Sequence, residues 1–215
     1  MAKLLLGCTK RNNLKDIYNM QKLLNEWRQY LNEAKNIKCK LGPWPNGMMT
    51  GTYGYSDFLV IFVKSWEGGE KYFKKGMYHA YQDSVGIWTI GHGSTRIGKR
   101  PVKKGDKITS EQAFNELKKD LDNVLFGFNQ YIKRGVRSFN QHEVDAFISF
   151  GYNVGRPRML KSCFYTFATR NPDDERLEDA LHQYGGSKGA RRRRRAEWLM
   201  YSRGEYAYRE DKSFK

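Results

Sequence analysis

Acidic residues are scarce in this chain of 215: 23 Asp and Glu stand against 39 Lys and Arg, a formal charge of +16. With a pI of about 9.7, that deficit predicts attraction to an anionic partner: nucleic acid, an acidic lipid face, or a cell wall rich in carboxylates and phosphates. Cysteine is also sparse. Cys8, Cys39 and Cys163 are far apart and form no CxxC pair, which argues against a structural zinc site and predicts free thiols in a reducing compartment. The four histidines show no HExxH spacing, so a metalloprotease or amidase centre is not expected. Long apolar runs are missing too. The opening "MAKLLLGCTK" is too short for a signal-peptide core and far too short to span a bilayer. The chain reads as a cytoplasmic product without an export device of its own. What is present is a folding composition, with 39% apolar and 14% aromatic residues.

Residues 12–37 carry Ile17, Met20, Leu24, Trp27, Leu31 and Ala34 at helical spacing, which predicts an amphipathic helix packed on the main domain. "CKLGPWPNGMMTGTYG" follows, rich in Gly and Pro, and reads as a linker. The expected organisation is a helical extension and linker over 1–50, a main domain over 51–200 and a polar tail over 201–215. Within the main domain, "SDFLVIFVKSWEGG" reads as a short capped helix ending near Glu67. Thr109 with Gln112, and Asn140 with Glu143, read as capping boxes opening further helices. The first of these helices has a face of Phe114, Leu117, Leu121, Val124 and Phe128. Pro172 is expected in the first turn of another helix, and "GARRRRRAEWLMYSR" reads as a basic final helix. The order of elements predicts an α+β domain dominated by helices, with a small β-hairpin.

"EGGEKYFKKGMYHAYQDSVGIWTIGHG" concentrates the groups that can do acid–base chemistry. A three-residue loop at Val85-Gly86-Ile87 pairs Asp83 with Thr89 across a hairpin, on one face, with Trp88 and Ile90 on the other. Glu67, at the end of the preceding helix, looks across at Asp83. Two carboxylates facing across a cleft are what glycoside hydrolysis needs. One donates a proton to the leaving oxygen, and the other activates water or stabilises the positive sugar. Glu70 is the alternative acid, but it lies beyond two glycines among Lys71, Lys74 and Lys75, in what reads as a solvated inserted loop.

"VKSWEG", "AYQDSVGIWTIGHGST", "ITSEQA", "NQHEVDAFISFGYNVG" and "GGSKGARRRRRAEWLM", in that order over roughly residues 60–200, resemble the phage-type lysozymes, the endolysins among the glycoside hydrolases. The resemblance implies a lysozyme-like fold with its hairpin beside an active-site cleft. It also implies hydrolysis of the β-1,4 bond between N-acetylmuramic acid and N-acetylglucosamine in peptidoglycan. Lys64, Glu67 and Gly68 match the family's K-x-x-E-G, which implies Glu67 as general acid. Asp83 in A-Y-x-D would orient or deprotonate water, and Thr89 in T-I-G-x-G would assist. Positioning or substrate-binding roles fall to Arg192, Asn153 and His92. No cofactor and no metal are implied. The partners are peptidoglycan and anionic wall polymers. The expected setting is the host cytoplasm, with a separate release system giving access to the wall; a virion-borne enzyme is the alternative. The spacing between Glu67 and Asp83 is longer than the family pattern, so the segment between them carries an insertion.

Arg191 to Arg195 are consecutive. Successive helical residues turn by about 100°, so such a run circles the helix and at least one arginine faces inward, toward an acid. The resemblance makes Arg192 the partner of Glu67. Other classes are a lytic transglycosylase, which needs no paired aspartate and leaves an anhydro sugar, a non-catalytic wall-binding virion protein, and a nucleic-acid-binding protein. The last lacks any RNP-like aromatic block or zinc-finger spacing.

Overall fold

The computed structural model describes residues 53–83, 85–132 and 137–209; the expected helix over 12–37 lies outside them. Helix α1 spans Asp57–Glu67. Ser56 caps it by accepting from the Leu59 amide, and Gly68 ends it in the left-handed region at φ 60°. A 3-10 turn, Gly69–Tyr72, leads into seven short strands. These are β1 (Phe73–Lys74), β2 (Met77–His79), β3 (Tyr81–Gln82), β4 (Trp88–Thr89), β5 (Arg96–Ile97), β6 (Arg100–Pro101) and β7 (Lys107–Ile108). They form three small antiparallel sheets, ordered β1-β2-β7, β3-β4 and β5-β6. Six helices follow: α2 (Ser110–Ile132), α3 (Gln141–Val154), α4 (Arg156–Leu160), α5 (Cys163–Ala168), α6 (Leu177–His182) and α7 (Lys188–Arg203). The architecture is α+β and mostly helical.

Two cores divide the molecule. The larger joins all seven helices through Leu59, Phe62, Leu121, Phe147, Met159, Phe164, Leu181 and Met200 among others. The smaller holds the strands together around Tyr78, Ile90, Val102, Ile108 and Ala113. Helix α2, about 34 Å long at 1.5 Å per residue, belongs to both: Ala113 packs into the β core, and Leu117 onward into the helical one. Both expected capping boxes form. Thr109 Oγ1 accepts from the Gln112 amide while the Gln112 side chain accepts from the Thr109 amide, and Asn140 and Glu143 do the same at α3. The inward face of α2 uses Ala113 rather than Phe114, which is 39% exposed.

Asp145, fully buried on α3, gathers the beginning and end of the described fold. It accepts from the Ser56 amide (3.0 Å) and hydroxyl, from Gln141 Nε2 (2.9 Å) and from the Tyr206 hydroxyl (2.5 Å). Beyond α7 the chain crosses back over α1. The Trp66 indole donates to Ala207 O (3.3 Å), and the Arg209 amide to Ser65 Oγ (3.2 Å).

Four sequence expectations change. The hairpin pairs Tyr81 with Thr89 and Gln82 with Trp88, a register two residues from the expected one. A shift of two preserves sheet faces, so Asp83 and Thr89 remain on one side as diagonal neighbours. The cause is Asp83 itself: its Oδ1 accepts from the Val85 and Ile87 amides (3.0 and 2.9 Å) and closes the turn. The segment after Gly69 is not a loose loop but the edge of the three-stranded sheet. Pro172 lies in a turn ahead of α6, which starts at Leu177. Cys163 is disulfide-bonded, so the free-thiol expectation does not hold there.

Candidate active site

Glu67 is the last residue of α1, and the chain around it is built for close approach. A side chain at Gly69 would put its Cβ 1.9 Å from Gly91 O, so only glycine lets the helix end lie against the strand of the T-I-G-x-G stretch. Gly93, at φ +102°, brings its backbone to Glu67: a Cβ there would sit 2.8 Å from Glu67 Oε2. The other oxygen, Oε1, accepts from Arg193 Nη1 at 2.5 Å. The Glu67 side chain keeps 16% of its surface exposed while that of Arg193 keeps 5%. The carboxyl thus faces solvent from a buried cationic backing.

The hairpin supplies the opposite wall. Thr89 is buried, and its hydroxyl donates to Ile87 O (3.1 Å). Tyr81, directly across from Thr89, feels the charge of both carboxylates. Its phenol is pushed up to about 12, first by burial and then by the charges of Glu67, Tyr72 and Asp83. Its ring stacks on Tyr72 of the inserted segment at 3.7 Å between centroids. From the helical side, Tyr152 donates to His92 O at 2.6 Å. The Tyr152 phenol is raised well above its ordinary value by burial and by the Glu67 charge.

The arginine run resolves as the 100° turn requires: Arg193 and Arg194 are buried, and Arg192 and Arg195 are exposed. The partner of Glu67 is therefore Arg193 and not Arg192, one position later in register. Glu197 identifies it, sitting four residues after Arg193 and three after Arg194 and pairing with both. That i,i+3/i,i+4 relation is readable in the sequence and was the signal for Arg193, Arg194 and Glu197. Asn153 accepts from Arg194 Nη2 (2.7 Å) and lines a groove of about 460 Å³ with Val154, Arg158, Gln183, Tyr184 and Ser187. His92, expected in a positioning or substrate-binding role, has a buried ring. It is 2% exposed, and desolvation lowers it to about 4. Its ring packs edge-on against Tyr78, and its site contribution is the carbonyl that holds Tyr152. Glu70 is not a solvated acid: its Oε1 accepts from the Tyr78 hydroxyl (2.7 Å) and lies 4.0 Å from His92 Nδ1. Among the described residues, no group of three or more His, Cys, Asp or Glu side chains is placed to hold a metal ion.

Known proteins resemble this chain over the same domain. The phage lysozyme family model matches residues 71–197, starting just after Glu67. A SAR-endolysin of Escherichia phage 933W is 31% identical over 86 residues, 40% of this chain and 48% of that protein. An endolysin of Acyrthosiphon pisum secondary endosymbiont phage 1 is 37% identical over 96 residues, 45% of this chain and 56% of that one. The chain thus spans about half the length of the curated relatives it matches. Among solved structures, an endolysin from Escherichia coli O157:H7 phage FAHEc1 superposes with a TM-score of 0.64 at 31% identity, covering 74% of this chain and 99% of that one. With more than half its length under the family model and a solved relative covered almost end to end, the chain belongs to the phage lysozyme family.

Proposed function

We propose that this chain hydrolyses the β-1,4 bond between N-acetylmuramic acid and N-acetylglucosamine in peptidoglycan, opening the host wall for a phage. The reading rests on one observation: the Glu67 carboxyl, backed by Arg193 at a helix end, lies beside the hairpin that carries Asp83 and Thr89. Glu67 donates its proton to the leaving oxygen. Asp83 takes a proton from the attacking water on the opposite sugar face. Its Oδ1 is occupied by the two turn amides, so Oδ2 does this work. The Thr89 hydroxyl, its own proton on Ile87 O, accepts from the same water. The water step proposed here carries inversion at the anomeric carbon, the outcome of carboxyls about 6.5–9.5 Å apart, whereas about 5–5.5 Å gives retention.

Asp83→Asn, which keeps an oxygen for the turn amides, is expected to abolish nearly all clearing of purified walls while melting like the wild type; clearing at a near-normal rate would overturn the assignment. Product analysis separates the rival chemistry, because a transglycosylase leaves an anhydro sugar and a hydrolase a reducing end. An NMR time course showing the retained anomer first contradicts the water-mediated step.

The partners proposed are peptidoglycan and the anionic polymers of the wall. Nine exposed cations, among them Lys74, Lys75, Lys99, Lys103 and Lys104, lie on the strand-bearing part. Wall binding therefore weakens steeply as salt rises to about 0.5 M, where screening acts within several Å; unchanged binding rules the cations out. The protein is proposed to start in the host cytoplasm and to need a separate release step. Among the described residues no helix is long and apolar enough to cross a membrane. Residues 1–50 are proposed as an extension outside the catalytic domain, tested by limited proteolysis over 42–54.

A further inference from the structure

Four charged side chains run from the site into the core: Glu67, Arg193, Glu197 and Arg194. Arg193 is shared. Its Nη1 donates to Glu67 and its Nε to Glu197 Oε1 (3.1 Å). Glu197 is wholly buried and held from several sides. Its Oε1 also accepts from the Ser149 hydroxyl of α3 (2.7 Å) and from Arg194 Nη2 (3.3 Å), while Oε2 lies 3.0 Å from Arg194 Nε. Arg194 is fixed in turn by Asn153 Oδ1, with its guanidinium 4.9 Å from the centre of the Phe150 ring. Glu197 is thus the anchored member and Arg193 the bridge.

A general acid backed by an arginine raises a difficulty. A cation against a carboxylate favours the ionised form, which has no proton to give. A second carboxylate on the same guanidinium divides that attraction and adds a negative charge behind it. We propose that Glu197 is a positioning residue for this site: by sharing Arg193 with Glu67 (3.1 Å to Glu197, 2.5 Å to Glu67) it takes up part of the guanidinium's attraction and so sets the alkaline edge of the enzyme's pH range. The inference rests on the acid role proposed for Glu67.

The other charged or titratable groups around Glu67 are Tyr81 and Asp83 from the hairpin and Tyr152 from α3. Glu70, Lys64, His92 and Arg209, whose Nη1 donates to Trp66 O (3.4 Å), form the next layer. A substitution at residue 197 changes none of these directly, so its effect reads through Arg193.

The test is the pH–rate profile of wall clearing for Glu197→Gln, Glu197→Asp and Arg194→Gln, each checked for folding by circular dichroism and melting. In Glu197→Gln the full attraction of Arg193 falls on Glu67. The alkaline limb then moves down by about one pH unit, with about tenfold loss of rate on that limb and little on the acid side. Glu197→Asp retains the charge and keeps the limb near its wild-type position. Arg194→Gln removes the competing cation, leaves more of the Glu197 charge to Arg193, and moves the limb up. Equal loss at every pH in Glu197→Gln, with the limb fixed, overturns the proposal. If that variant does not fold, a fixed limb in Arg194→Gln overturns it instead. A carbon-13 NMR titration of the Glu67 carboxyl separates the two claims. If that titration moves in Glu197→Gln but Glu67→Gln clears walls normally, the acid role fails and the Glu197 effect stands. If Glu67→Gln is inactive and the titration does not move, the Glu197 proposal fails alone.

Discussion

The helical and strand-bearing parts of this molecule are held together by different means, and the proposed active site lies on the seam between them. The helical core buries 26 apolar side chains and the β core five. At about 1.5–3 kcal/mol for each large side chain removed from water, the β part has far less to draw on. It relies instead on polar closures: Asp83 on its turn amides, Arg100 on Asp106 (2.7 Å), Tyr78 on Glu70. The division matches the labour. The helical side contributes a buried charge frame, Arg193, Glu197 and Arg194, that fixes one carboxyl. The hairpin contributes a carboxylate and a hydroxyl on short strands whose positions depend on hydrogen bonds.

The strongest test of that contrast is chemical. Glu67→Gln is expected to lose about 10²–10⁴ in clearing rate, the usual value of a positioned acid. Glu70→Gln, which keeps an oxygen for Tyr78, loses little. The reverse order, with both variants folded, would move catalysis into the β part. Next comes Gly93→Ala. Its Cβ meets Glu67 Oε2 and its φ is +102°, so activity falls by at least about tenfold while stability drops by only about 1–2 kcal/mol. A near-normal rate shows that the carboxyl tolerates displacement.

Stability measurements sharpen the comparison further. Asp145→Ala leaves the Ser56, Gln141 and Tyr206 donors unpaired and costs about 3 kcal/mol in urea unfolding. Tyr78→Phe removes only the Glu70 bond and costs about 1 kcal/mol, with faster hydrogen exchange confined to β1, β2 and β7. Acid affects both parts. His92 in the β part and His182 in the helical part are each lowered by burial from 6.5 to about 4. Folded histidines with depressed values bind fewer protons than unfolded ones. Their stabilisation is therefore present above about pH 6.5 and is lost as pH falls toward 4, by up to about 3 kcal/mol each. A melting temperature flat across that window contradicts the burial of both rings.

The same asymmetry governs what could be read beforehand. Helix α2 and helix α3 were legible because long 3.6-residue faces and capping boxes repeat one message over many positions. The strands have two or three residues, too few for alternation to fix a register. The hairpin register turned on a side-chain-to-amide closure at Asp83 that no periodicity encodes. Glu67, Asp83 and Thr89 were nameable from motifs, and Arg193 was missed by one because five identical residues hide their own phase. Only Glu197, lying one turn on, distinguishes them. That His92 would meet Tyr152 through its backbone carbonyl, with its ring buried beside Tyr78, is a contact that no sequence pattern encodes.

Asp145 carries a further consequence. Ser56, near the start of the described fold, and Tyr206, near its end, bond to the same buried carboxylate, so the path through the domain nearly closes on itself. A short linker from residue 209 back to residue 53, with a new opening at the turn around Pro172, is therefore expected to give a circular permutant that folds and keeps its cleft.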